Sequence, residues 1–188
     1  MEELWSYLSH CGKPIVMWGM GDGADKILRV CDEKGIEISD FFASDGFVRH
    51  QLFHGKTVLS LDEIRTGYGG GNFVILLAFG SSLPEVIRNV ETVAAENELL
   101  VPDVPVAAGS PLFDESFIRE HTGEFNAPRS LLADDASRAV FDTLIEAKRT
   151  GSLSLIRSTS SDASLPFADI LHPAAYRTAV DLGAYTGD

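Results

Sequence analysis

The stretch that decides the fold is Lys13-Pro-Ile-Val-Met-Trp18, followed at once by Gly19-Met-Gly-Asp-Gly-Ala24. The first part is a compact apolar run of strand length that reads as a buried strand. The glycines then make a tight turn. Beyond them Ile27, Leu28, Val30 and Cys31 form one apolar helical face that runs to about Lys34. Gly35 is a natural C-terminal stop, and Asp22 or Gly23 is placed to cap the start. Strand, glycine turn and helix in that order open a βαβ unit.

Working outward, Leu4, Trp5 and Leu8 pattern a short amphipathic helix over residues 4–11. Ile36 to Ala43 reads as a second strand, ending in Ser44-Asp45-Gly46. A less regular stretch with His50 and His54 leads to a short strand, Gly55 to Leu59. Ser60-Leu-Asp-Glu63 has the serine-to-glutamate spacing of a capping box, and Ser82-Leu-Pro-Glu85 repeats it ahead of a helix to about Asn97. Between them, Gly67 to Gly71 is a flexible loop and Asn72 to Phe79 is the strongest strand, apolar on both faces and therefore central. Leu99 to Ala107 is a fifth strand whose Pro102 and Pro105 place it at an edge. The expected fold is α/β: a doubly wound, mostly parallel Rossmann-like sheet of about five strands, forming a nucleotide-binding-type domain over residues 1–110.

The pattern then changes. Asp114 to His121 is a short helix stopped near Gly123. Asp134 to Arg149 is a longer one, started by Asp134 or Asp135, with Ala136, Val140, Leu144 and Ala147 on its apolar face. Ser152 to Ala163 holds five serines and reads as a loop or linker. Residues 111–175 are thus a helical extension and linker, and 176–188 a further strand and turn.

A chain of 188 residues buries roughly 70% of its unfolded surface and needs no disulfide or metal for a core. The hydrophobic content is 45% and the mean hydropathy +0.06, as in globular proteins. Cys11 and Cys31, neither in a CxxC, read as reduced thiols of a cytoplasmic protein. No basic leader precedes Trp5, and no apolar run reaches the length of a membrane span. The net charge of −13 argues against nucleic acid and anionic membranes, because phosphate contact needs clustered Lys and Arg.

Four motifs bear on chemistry. Gly19-x-Gly21-x-x-Ala24 stands between strand and helix, as a dinucleotide fingerprint requires. Gly19 permits the turn, Gly21 lets backbone approach a pyrophosphate, and Ala24 lets helix pack on strand. With Asp22, Gly23 and Asp45 they form a candidate nucleotide site, Asp45 standing at the strand end where a carboxylate meets ribose. Asp22 also brings a negative charge to the phosphate position, so an unoccupied structural turn is the competing reading. Gly80-Ser81-Ser82 offers hydroxyls at the sheet's carboxyl end, although capping accounts for Ser82. His50-x-x-x-His54 has zinc-ligand spacing but loop flanks and no third ligand, which makes it a surface pair. The last motif is Val180-Asp-Leu-Gly-Ala-Tyr-Thr-Gly-Asp188, a strand end and glycine turn with the spacing Asp181-x-Gly183-x-x-x-Gly187.

These residues resemble the FkbM family of S-adenosylmethionine-dependent methyltransferases. Ile15 to Gly23 looks like the first strand and turn of that family's N-terminal Rossmann-like domain, and Phe41-Phe-Ala-Ser-Asp45 like its second strand. Leu131-Leu-Ala-Asp-Asp-Ala-Ser-Arg138, with Val140-Phe141, looks like the helix upstream of the catalytic domain. Val180 to Asp188 looks like the first S-adenosylmethionine motif, onto which Asp181, Gly183 and Gly187 carry over. The resemblance implies an accessory N-terminal domain of an O-methyltransferase, truncated at that motif and inactive by itself. It further implies a catalytic domain as partner, S-adenosylmethionine as cofactor of the parent protein but none held tightly here, and a sugar or nucleotide as ligand. A stand-alone nucleotide, NAD or nucleotide-sugar binding module is the alternative.

Overall fold

The computed structural model describes residues 1–107, 109–160 and 175. They fall into two units, Met1–Ser158 and Thr159–Asp188; the first is described below. The terminal motif, with Asp181, Gly183 and Gly187, lies outside the described residues.

Helix α1 (Leu4–His10) precedes β1 (Ile15–Trp18), α2 (Asp22–Lys34) and β2 (Asp40–Phe42). A short 3-10 turn, Asp45–Phe47, leads to β3 (Leu52–Phe53) and β4 (Lys56–Leu59). Then come α3 (Leu61–Tyr68), β5 (Val74–Leu77), α4 (Pro84–Glu96), β6 (Glu98–Leu100), α5 (Glu115–Leu131), α6 (Asp135–Thr150) and α7 (Leu153–Ser158). Among the described residues the sheet has six strands in the order β3-β4-β2-β1-β5-β6. All pairings are parallel except β3 with β4. The Rossmann-like α/β expectation holds, with one strand more than expected. That strand, β3, is a two-residue hairpin arm inside the stretch read as irregular, too short to show alternation.

Side chains alternate between two apolar layers, as the pleat requires. Ile15, Met17, Phe41, Val74 and Leu76 meet α1 and α2 on one face. Val16, Trp18, Phe42, Ile75 and Leu77 meet α3 and α4 on the other. β1 and β5, covered on both sides, have every residue buried, which is why their sequences read as unbroken apolar runs. β5 lies inside the sheet but next to β6, the edge strand. β6 is three residues long, because the two prolines expected in the strand break the ladder beyond Leu100. Its outer side is met by Gly151 and Ser152: Val101 N donates to Gly151 O at 2.8 Å, and Leu100 bridges to Ser152.

Helix ends follow local chemistry where a side chain can reach. Ser60 and Glu63 form the expected reciprocal capping box on α3. Gly35 and Gly151 end α2 and α6 at φ 68° and 65°. The second expected box is absent: α4 begins at Pro84 with Leu83 as its cap, because proline fits the first helical position. α5 runs from its Asp114 cap past Gly123 and Pro128; its Phe113, Phe117 and Phe125 rings cluster. The helix thus continues through both breakers although none of its residues is buried. On α6, Ala136, Val140 and Leu144 are exposed, and only Ala147 of the expected apolar face is buried. The serine-rich stretch read as a loop contains α7.

The turn after β1 is built by two glycines with different demands. Gly19 has φ 124°, which side-chain-bearing residues rarely adopt. Gly23 sits in the first turn of α2, where an added Cβ would lie 2.2 Å from the Ala78 carbonyl oxygen. Helix-on-strand packing therefore depends on Gly23, and the buried Ala24 is its neighbour rather than the point of closest approach.

Gly23→Ala would gain under about 1 kcal/mol of helix propensity but forces a backbone shift. A net loss of about 3 kcal/mol and a Tm lower by about 10 °C are expected. Gly21, with nothing within 4 Å of a built Cβ, should accept Ser with a change of no more than about 0.5 kcal/mol; urea unfolding of both variants checks the pair. Cys31 is fully buried, and that burial, followed by the nearby Asp32 charge, pushes its thiol up to about 12. A disulfide-exchange reagent at pH 8 should therefore label Cys11 quickly in the folded protein and Cys31 only after denaturation.

Candidate functional site

β1 leads leftward to β2 and β4 and is flanked on its right by β5, so the strand order reverses between β1 and β5. Ligands of doubly wound sheets bind in the crevice beyond the carboxyl ends at this point. A cavity of about 320 Å³ opens here. Gly19 and Met20 line it from the β1 turn, Ala43, Ser44 and Phe47 from the segment after β2, and Phe79, Gly80 and Ser81 from the segment after β5. Trp18 forms its floor, stacked on Phe42 and edge-on to Phe79 at 5.4 Å each. Phe47 is 67% exposed at the cavity wall.

The segment after β2 is tied to the glycine turn. Gln51 Nε2 donates to Met20 Sδ at 2.7 Å and to Phe47 O at 3.3 Å, while its Oε1 accepts from Arg49 N at 2.9 Å. Gly19 N donates to Phe42 O at 2.9 Å, and Ala78 N to Trp18 O at 3.0 Å. One glutamine and two backbone bonds thus hold the walls to the floor. Gln51 carried no sequence signal, because its role depends on a contact 31 residues away.

The sequence-selected residues divide. Gly19, Gly80 and Ser81 reach the crevice. Gly21 caps α2, and no side-chain cap bond is made there; neither Asp22 nor Gly23 caps it. Asp22 is the first helical residue and pairs with Lys26 one turn on. It is held away from the cap because the chain enters the helix one residue earlier than expected. Asp45 does not end β2, which stops at Phe42; it opens the 3-10 turn. Its neighbourhood is a second cavity of about 170 Å³, shared with Asp62, Arg65 and Asn89 and walled from the crevice by Trp18, Ala43 and Ser44. Ser82, expected to cap α4, does not; Ser81 Oγ instead accepts from Leu83 N at 3.1 Å.

The two histidines part as well. His54 Nε2 lies 2.7 Å from Asp25 Oδ1, and its ring meets Phe53 edge-on. Both histidines have positive φ, 48° and 47°, so they sit on a turn rather than one helix face. No group of three His, Cys, Asp or Glu placed to hold a metal occurs among the described residues. No helix among them is long and apolar enough to cross a membrane.

The chain is similar in fold to a methyltransferase. The crystal structure of methyltransferase FkbM from Methylobacillus flagellatus KT matches over 81% of this chain and 43% of that one, with a TM-score of 0.52 and 18% identity. At that identity the likeness is one of fold, and this chain spans less than half of that protein. No family model matches the sequence, and no curated protein does.

Replacing Gln51 by Leu removes the amide that joins Phe47 to Met20. Hydrogen–deuterium exchange should quicken at residues 44–51, with stability lower by about 1 kcal/mol for each hydrogen bond lost and the β1 and β5 amides unchanged.

Proposed function

We propose that this chain is the accessory Rossmann-like domain of an FkbM-like, S-adenosylmethionine-dependent O-methyltransferase of the cytoplasm. In this reading it transfers no methyl group by itself and holds a nucleotide- or sugar-type ligand for a catalytic domain. The observation that carries the ligand reading is the cavity at the strand-order reversal, bounded by the Gly19 turn and by the segment after β5. Aromatic rings line its wall, and this mixture of apolar lining and few polar groups is typical of small-molecule sites. Beside it, Gly21 leaves its backbone open and the α2 terminus has no side-chain cap.

Support for the parent class comes from the fold likeness to an FkbM methyltransferase and from the two sequence segments, Leu131–Phe141 and Val180–Asp188, that resemble that family. S-adenosylmethionine, which supplies the methyl group as a sulfonium, is assigned to the second of these through Asp181, Gly183 and Gly187. A stand-alone nucleotide-binding module shares the same crevice and differs in lacking a catalytic partner.

With Trp5 replaced by Phe, Trp18 becomes the sole tryptophan and reports on the crevice floor. Titration with a panel of nucleosides, NAD and UDP-sugars should quench it, and at hundredfold excess over Kd the responsible ligand should raise Tm by about 5 °C or more. S-adenosylmethionine should cause neither change, and the chain should methylate nothing. Silence across the whole panel defeats the ligand reading; micromolar affinity for S-adenosylmethionine in calorimetry defeats the accessory one.

A further inference from the structure

The crevice holds one aromatic ring that packs on nothing. β1 lies between β2 and β5 in the sheet, so Phe47 and Phe79 reach the cavity from segments on opposite sides of Trp18. Phe79 is held edge-on to Trp18 at 5.4 Å. Phe47 meets no other ring among the described residues and is 67% exposed. Its backbone is nonetheless fixed. Phe47 N donates to Ser44 O at 2.7 Å, and Phe47 O accepts from Gln51 Nε2 at 3.3 Å. A flat group laid against a ring so anchored pays little for ordering the wall.

The crevice's polar groups are few and of one kind. No charged side chain lines it among the described residues. Each of its two hydroxyls accepts one bond, Ser44 Oγ from Trp18 Nε1 at 3.3 Å and Ser81 Oγ from Leu83 N at 3.1 Å. Neither donates to a described residue, so each keeps its O–H for a ligand. A ligand donor competes with Trp18 and Leu83 for those oxygens, whereas a ligand acceptor finds two unspent protons.

From these observations we infer that the crevice is a clamp for a flat, uncharged ring that carries hydrogen-bond acceptors. The ring enters between Phe47 and the Trp18–Phe79 pair and takes an O–H from Ser44 or Ser81 on a carbonyl oxygen or a bare ring nitrogen. The inference rests on the ligand reading above and narrows it to the part of the ligand that enters. Stacking supplies the affinity, the hydroxyls supply the choice of ring, and an ionised ring would lose its hydration with no opposite charge in the crevice to replace it. A nucleobase has this chemistry, and so does any other neutral aromatic heterocycle.

The test is an NMR titration of the 15N-labelled Trp5→Phe chain, whose one indole N–H is that of Trp18 and is bonded to Ser44. Quinoxaline, a neutral ring with acceptors only, should shift that signal to saturation. Indole, a donor-only ring of similar size, should bind about fivefold weaker, the scale of one hydrogen bond. Quinoxaline-2-carboxylate should bind about tenfold weaker, from the cost of its charge. Phe47→Leu should weaken quinoxaline about tenfold, the scale of a lost base–aromatic contact, and Phe47→Trp should retain it. Replacing Ser44 and Ser81 together by Ala should abolish the preference over indole, with the 15N spectrum showing that each variant is folded. Adenosine and uridine form the nucleoside arm. If quinoxaline binds and they do not, the clamp stands and its ligand is a heterocycle other than a nucleoside. Indole or the carboxylate binding as tightly as quinoxaline overturns the inference, and so does indifference to Phe47→Leu. Silence from quinoxaline while a nucleotide or UDP-sugar binds overturns it and leaves the ligand reading standing. If nothing binds, both fall.

Discussion

The first turn of α2 rests on the end of β5 so closely that only hydrogen fits between Gly23 and the Ala78 oxygen. The rest of the domain is arranged around that contact. β1 and β5 pair over four residues, from Ile15–Val74 to Trp18–Leu77, and α2 leaves β1 after a turn of three residues. With so short a turn, α2 must pass directly over the neighbouring strand. A side chain at residue 23 would lift it and open the buried layer containing Ala24, Ile27 and Cys31. The same approach brings the Gly19 turn beside the segment after β5, and the gap between those two segments is the crevice.

The crevice takes its character from what the sheet exposes at its end. Trp18 is the last residue of β1 and is buried, so its indole serves both the core and the cavity floor. Its stacking on Phe42 and edge contact with Phe79 fix the ring. Charge is placed around the cavity rather than in it. Acidic residues stand at the helix starts, where they favour helix formation.

The buried strands were legible in the sequence because β1 and β5 are covered on both faces and leave unbroken apolar runs. Ser60 and Glu63 were legible because a capping box is a local, reciprocal bond. What escaped was non-local. β3 is a two-residue arm held by its partner strand, and Gln51 acts on Met20 across the site. Asp45 was expected to end the second strand and instead opens the 3-10 turn after it. Its cavity is a separate one, since the ladder ends at Phe42 and the chain turns before reaching it.

The two margins of the sheet share a property with consequences for association. On one side β3 is two residues long and turned antiparallel; on the other, β6 has Gly151 and Ser152 against it. Neither offers a long row of free N–H and C=O groups, the template on which another chain adds a strand. Among the described residues, strand addition and the fibrillar aggregation that follows from it are thus disfavoured at both margins, and side chains rather than free backbone dominate what the sheet's edges present.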